Sequence, residues 1–104
     1  LRQVMWNLLR NAVRYASAAP GSVRIVVRGF AERVELSVID DGPGVPAASR
    51  GQLFEPFFTT EHNGTGLGLY RARELCAANR ASLEYVNDVS GAHFRVLCRE
   101  ARLS

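Results

Sequence analysis

Val34-Glu35-Leu36-Ser37-Val38-Ile39-Asp40-Asp41-Gly42-Pro43-Gly44 is the stretch that decides how this chain folds. Val34, Leu36 and Val38 alternate with Glu35 and Ser37, the period of a strand with one buried face. That strand runs straight into Asp-Asp-Gly-Pro-Gly, where it must stop. Upstream, Val23, Ile25 and Val27 alternate with Arg24 and Arg28. With residues 29–33 between them, the two segments read as an antiparallel hairpin covered on one face. What covers it lies on either side in sequence. Leu1, Val4, Met5, Leu8, Ala12, Tyr15 and Ala16 recur at helical spacing, and Pro20 and Gly21 end that helix near residues 17–21. A second helix is expected over about residues 67–79, apolar at Leu69, Ala72, Leu75 and Cys76. Two further strands follow, at residues 83–87 and 92–99, turning at 88–91, with Ala92, Phe94, Val96 and Cys98 facing one way. Helix, hairpin, long loop, helix, hairpin is the order of an α+β two-layer sandwich, its mainly antiparallel sheet carrying helices on one face.

Composition limits the chemistry. The chain has 104 residues, 47% apolar and 22% charged, which suits one soluble domain. With Leu1 at its start and Met5 its only methionine, it is expected to be a piece of a longer protein. No run approaches the roughly 18 apolar residues of a membrane span. All 13 basic residues are Arg. Without a Lys there is no Gly-Lys phosphate loop, no kinase-type lysine and no Schiff base. A net charge of +3, spread along the chain, does not argue for nucleic acid. Cys76 and Cys98 sit among apolar residues without Cys-x-x-Cys spacing and read as reduced core thiols.

Three places are candidates for chemistry. On the first helix, at about 100° per residue, Asn7, Asn11 and Arg14 fall within roughly 60° of one another, away from the Val4–Leu8–Ala12 stripe. A solvated face would explain them, but Asn is a poor helix former, and two of them one turn apart need another reason. An Asn oxygen can complete a magnesium shell whose other ligands are phosphate and water, and an Arg can bind the same phosphates. The second place is Asp41-Gly42-Pro43-Gly44, either a simple turn or a carboxylate poised for a ligand N–H with glycines that admit the ligand closely. The third is Gly64-Thr65-Gly66-Leu67-Gly68-Leu69 at the start of a helix. It is not the dinucleotide fingerprint, yet it offers free N–H groups and the positive end of a helix dipole to an anion. The three converge on an anionic, magnesium-bound molecule that carries a hydrogen-bonding base.

These residues resemble the catalytic ATP-binding domain of bacterial sensor histidine kinases, within the GHKL group of ATPases and kinases. Residues 3–15 look like the family's N box, 41–44 the G1 box, 53–58 (Leu-Phe-Glu-Pro-Phe-Phe) the F box and 64–69 the G2 box, in the family's order. The resemblance covers residues 3–69 by motif, and the last helix and hairpin fit as well. It implies a Bergerat-type sandwich in which Asn11 ligates magnesium, Asn7 contacts phosphate or the metal shell, and Arg14 lies near the phosphates. Tyr15 would pack on adenine and Asp41 bind its exocyclic amine, with Gly42 and Gly44 admitting the base. Thr65, Gly66, Leu67 and Gly68 would cradle the triphosphate, and residues 44–64 would be a lid pinned by Phe54, Phe57 and Phe58.

The resemblance also implies a reaction. Hydrolysing members carry a Glu one turn before the magnesium Asn; here that position is Asn7, which cannot take a proton. ATP is therefore expected to be held for an outside nucleophile, a histidine on a separate dimerisation domain, for relay to a response regulator. His62 and His93 lack the acidic neighbour of the family's phosphoacceptor. Residues 57–60 and 73–79 look most like sensors of the nitrogen-regulation and type IV pilus type. Such a parent would be anchored in the inner membrane, with this domain cytoplasmic and touching neither membrane nor nucleic acid. Glu61 stands where many relatives carry Lys, which keeps a degenerate, non-enzymatic regulatory module as the alternative.

Overall fold

The computed structural model describes residues 2–58 and 67–99. Its elements are α1 (Arg2–Tyr15), β1 (Val23–Gly29), β2 (Arg33–Asp40), a 3₁₀ turn (Ala47–Gln52), α2 (Gly68–Ala78), β3 (Ala81–Tyr85) and β4 (His93–Arg99). The four strands form one antiparallel sheet in the order β1-β2-β4-β3. Helix α1 packs on α2 and β2, and α2 packs on β3, so both helices lie on one face. This is the expected two-layer α+β sandwich.

The core is built from the two periods read in the sequence. Val4, Leu8 and Ala12 face inward from α1, and Ala72 and Cys76 from α2. Val38, Leu83, Phe94, Val96 and Cys98 meet them from the sheet. Each is buried, and such burial contributes about 1.5–3 kcal/mol for a Val, Leu or Phe side chain. The cover stops short of β1, where Ile25 and Val27 face the helical side yet remain more than half exposed. Both cysteines are free and buried, as expected.

Boundaries differ from the sequence reading at α1, which ends at Tyr15 rather than near residues 17–21, and at both ends of β3, which stops at Tyr85 rather than residue 87. Strand β3 begins at Ala81 rather than residue 83, because α2 stops abruptly. The Asn79 side chain donates to the Leu75 carbonyl at 2.8 Å, and Arg80 adopts φ +56°, which reverses the chain within two residues. Inside the long loop, the 3₁₀ turn was not legible from periodicity. It drops Leu53 into the core and brings Phe54 edge-on to Phe94, with ring centroids 6.2 Å apart.

Candidate functional site

Helix α1 places Asn7, Asn11 and Arg14 on one flank of its buried stripe, as its spacing requires. Asn7 and Asn11 are half-buried; Arg14 is exposed in the last turn, where its charge also suits the helix dipole. Asn7 carries an unpaired polar group. Its side-chain nitrogen Nδ2 is fully buried and has no hydrogen-bond partner. Leaving a buried donor unpaired costs about 1–3 kcal/mol, so folded chains seldom do it without reason. With its polar end turned outward, the amide could donate to a phosphate oxygen or, through Oδ1, ligate a hard cation. Among the described residues no group of three or more His, Cys, Asp or Glu could hold a metal ion. A magnesium ion beside Asn7 and Asn11 would therefore take most of its oxygens from phosphate and water, which the two amides fit.

At the other end of α1, Tyr15 meets the corner after β2. A Cβ on Gly42 would lie 2.5 Å from the Tyr15 carbonyl oxygen and 3.0 Å from Asp40 Oδ1. Gly44 has φ +75° and abuts the backbone of Ser90 and Gly91. Both glycines are thus required, but by the protein's own backbone.

The two aspartates of the corner differ sharply. Asp41 is exposed, and Ser17 holds its carboxylate through a backbone N–H at 2.7 Å and a hydroxyl at 2.6 Å. Those two bonds, the hydroxyl's first, hold the Asp41 carboxyl below its ordinary value of 3.8. Asp40 is buried on the helical side of the sheet, only 4% exposed. Its Oδ1 accepts the Gly42 N–H at 2.9 Å and the Ala92 N–H at 3.4 Å. A carboxylate has about four acceptor sites, so Asp40 retains capacity for a ligand donor. The Asp-Gly-Pro-Gly turn points to Asp41, whereas the buried carboxylate of the pair is Asp40. Extending the alternation Val34, Leu36, Val38 by one step would have put residue 40 inward and 41 outward.

The rest of the expected site is placed in part. Leu67 directly precedes α2 and Gly68 begins it, with open space where a Cβ would be. An open groove between the first turns of α1 and α2 is lined by Gln3, Tyr70, Arg71, Glu74 and Leu75. Gln3 lies one turn before Asn7 on the same flank of α1. Thr65 and Gly66, together with Gly64, Glu61 and His62, lie outside the described residues. Of the three aromatic residues expected to pin the lid, Phe54 packs into the core and Phe58 is half-buried. Phe57 is 74% exposed, at φ +67°. Val45 and Arg50 tie the first half of the loop to the end of β3. The Tyr85 hydroxyl accepts the Val45 N–H at 3.4 Å, and the Arg50 guanidinium lies 5.6 Å from the Tyr85 ring. His93 points away from the helices, as its alternation implied, yet it is buried, between Asp88 and Ser37.

Comparison with known proteins gives the same assignment. The family model for histidine kinase-, DNA gyrase B-, and HSP90-like ATPases matches residues 1–102. The sensor protein kinase PilS of Pseudomonas aeruginosa is 49% identical over 102 residues, covering 92% of this chain and 19% of PilS. The sensory histidine kinase/phosphatase NtrB of Rhodobacter capsulatus is 40% identical over 111 residues, covering 92% of this chain and 30% of NtrB. Among solved structures, full-length ShkA in complex with AMPPNP superposes with a TM-score of 0.80 at 33% identity, over 93% of this chain and 20% of ShkA. The chain thus spans less than a third of each of these proteins. On fold, motifs and sequence alike, it belongs to the family of histidine kinase-, DNA gyrase B- and HSP90-like ATPases.

Proposed function

We propose that this domain binds Mg-ATP along the polar flank of α1 and presents the γ-phosphate to a histidine on a separate dimerisation domain of the same kinase. The observation that carries the reading is the single flank of α1 that holds Asn7, Asn11 and Arg14, on the helix whose end at Tyr15 meets the buried Asp40 carboxylate. From Tyr15 back to Asn7 is eight residues, about 12 Å of helix, a span comparable to a nucleoside triphosphate. Adenine sits at the Tyr15 end, where the buried Asp40 carboxylate accepts the exocyclic amine; we assign that contact to Asp40 in place of Asp41. The phosphates lie along Asn11, Asn7 and Arg14, and Thr65, Gly66, Leu67 and Gly68 are their further contacts.

The domain's part in the reaction is positioning and charge neutralisation. Arg14 offers a forked guanidinium to phosphate oxygens. Asn7 and Asn11 would hold the metal shell and the phosphates in one orientation, which would remove the entropy cost of aligning donor and acceptor. Magnesium, when bound, supplies the charge that offsets the triphosphate's own. Neither amide can remove a proton from water, so ATP waits for the incoming imidazole rather than hydrolysing quickly. The phosphoryl group then passes to a response regulator. We place the domain in the cytoplasm, beneath a parent anchored in the inner membrane; among the described residues no helix is long and apolar enough to cross one.

Mixing the chain with γ-labelled Mg-ATP and its parent's dimerisation domain tests this reading. Acid-labile, base-stable label on that domain supports the kinase. Rapid release of free phosphate instead would establish a hydrolase, and tight nucleotide-independent association without labelling would establish a regulatory module.

A further inference from the structure

On the face of the sheet turned away from the helices, His93 bridges two elements. Its Nδ1 lies 2.8 Å from Asp88 Oδ1 in the β3–β4 turn, and its Nε2 lies 2.8 Å from Ser37 Oγ in the middle of β2. His93 and Ser37 are buried, while Asp88 is half-exposed. Because the Asp88 carboxylate is an acceptor only, it fixes the proton of a neutral ring on Nδ1, and Nε2 then accepts from the Ser37 hydroxyl. Opposite Asp88, the same turn is the bed of the nucleotide corner. Asp40 donates its N–H to the Ala92 carbonyl at 2.9 Å, and Ala92 returns its own N–H to Asp40 Oδ1. Gly91 lies against the Asp40 carbonyl with no room for a side chain, and Gly44 rests on Ser90 and Gly91.

From this placement we infer that His93 is a positioning residue for nucleotide recognition. By clamping Asp88 to Ser37, it holds the 88–92 turn at the height that sets the Asp40 carboxylate for an adenine amine. It acts entirely from the reverse face and never touches the ligand. Arg95, beside it on β4, does not compete for the ring, since its guanidinium is engaged by Glu84 of β3. The inference rests on the assignment of Asp40 to adenine, and it concerns base selectivity rather than phosphate binding.

The test compares ADP with GDP by calorimetry on this chain, with thermal unfolding recorded alongside. Asp88→Ala and Ser37→Ala each remove one arm of the clamp; Asp88→Asn restores a carbonyl acceptor for Nδ1. Each Ala variant is expected to lose about fivefold in ADP affinity, the equivalent of one hydrogen bond, with GDP affinity unmoved. Asp88→Asn is expected to recover most of the preference. A purely structural role would lower the unfolding temperature and leave the ADP-to-GDP ratio alone, and that result overturns the inference. If Asp88→Ala fails to fold, Ser37→Ala carries the comparison with the same two outcomes. A wild-type chain that binds neither nucleotide overturns the nucleotide assignment and this inference with it. A wild-type chain that discriminates, beside variants that discriminate equally well, overturns only the clamp.

Discussion

Ser17 and Asp41 join the end of α1 to the end of β2, the Ser17 N–H and hydroxyl both donating to one exposed carboxylate at 2.7 and 2.6 Å. The pair closes the corner between the helix that carries the asparagines and the strand that carries Asp40. Because these bonds favour the ionised form, the folded-state pKa lies below the unfolded value. The stabilisation is therefore complete above about pH 4 and fades as pH falls through the lowered value. Ser17→Ala is expected to bring the Asp41 carboxyl back toward 3.8, read by NMR titration, and to flatten the loss of stability in acid.

Asp40 and Asp41 should respond unequally to the same change. Asp40→Asn places an amide donor in reach of the adenine amine and is expected to lower ATP affinity at least tenfold, the loss of a hydrogen bond to a charged group. Asp41→Asn alters a bond to Ser17 and is expected to leave affinity within about threefold. Equilibrium binding of ATP to the two variants decides between the carboxylates; the reverse order would return the adenine contact to Asp41.

These two residues also mark what the sequence could and could not convey. Alternation along residues 34–38 and helical spacing along 4–12 set the layers, because burying one face is the strongest force on a chain this size. That same alternation, carried to residue 40, sets Asp40 inward and Asp41 outward, a distinction that the Asp-Gly-Pro-Gly turn alone does not make. Ser17 could not be found this way, since nothing in a linear pattern says that residues 17 and 41 will meet. The His93 clamp was hidden for a related reason. A histidine at an outward position reads as solvated, and only the fold of the β3–β4 turn brings Asp88 over it. Strand β3 starts two residues earlier than its pattern implies because Arg80 takes a left-handed conformation that Gly or Asn would signal and Arg does not.

Glycine substitutions should separate close packing from mere turn formation. A Cβ on Gly91 would overlap the Asp40 carbonyl oxygen, whereas one on Gly51 would meet nothing within 4 Å. Gly91→Ala is expected to destabilise strongly, by about 2 kcal/mol or more, in the range of overpacked sites. Gly51→Ala is expected to be neutral or stabilising by up to about 1 kcal/mol, through the unfolded chain. Urea unfolding of both variants checks the contrast.

Burial, and secondarily the nearby Cys98, push the Cys76 thiol up to about 11. Burial raises Cys98 as well. At neutral pH almost no thiolate is present, so labelling by a disulfide reagent should be slow in the native chain and should rise with the unfolded population in urea. Fast labelling of the native protein would mean that the packing of α2 on the sheet opens locally.

The most direct test of the account is calorimetric titration of the folded chain with ATP, first in magnesium and then in EDTA. Binding in the micromolar to millimolar range, about −8 to −4 kcal/mol, is predicted in magnesium, weakened in EDTA and lost in Asn11→Ala. A folded chain that binds no ATP under either condition, or binds it equally well without magnesium and without Asn11, would contradict the assignment of the α1 flank to Mg-ATP.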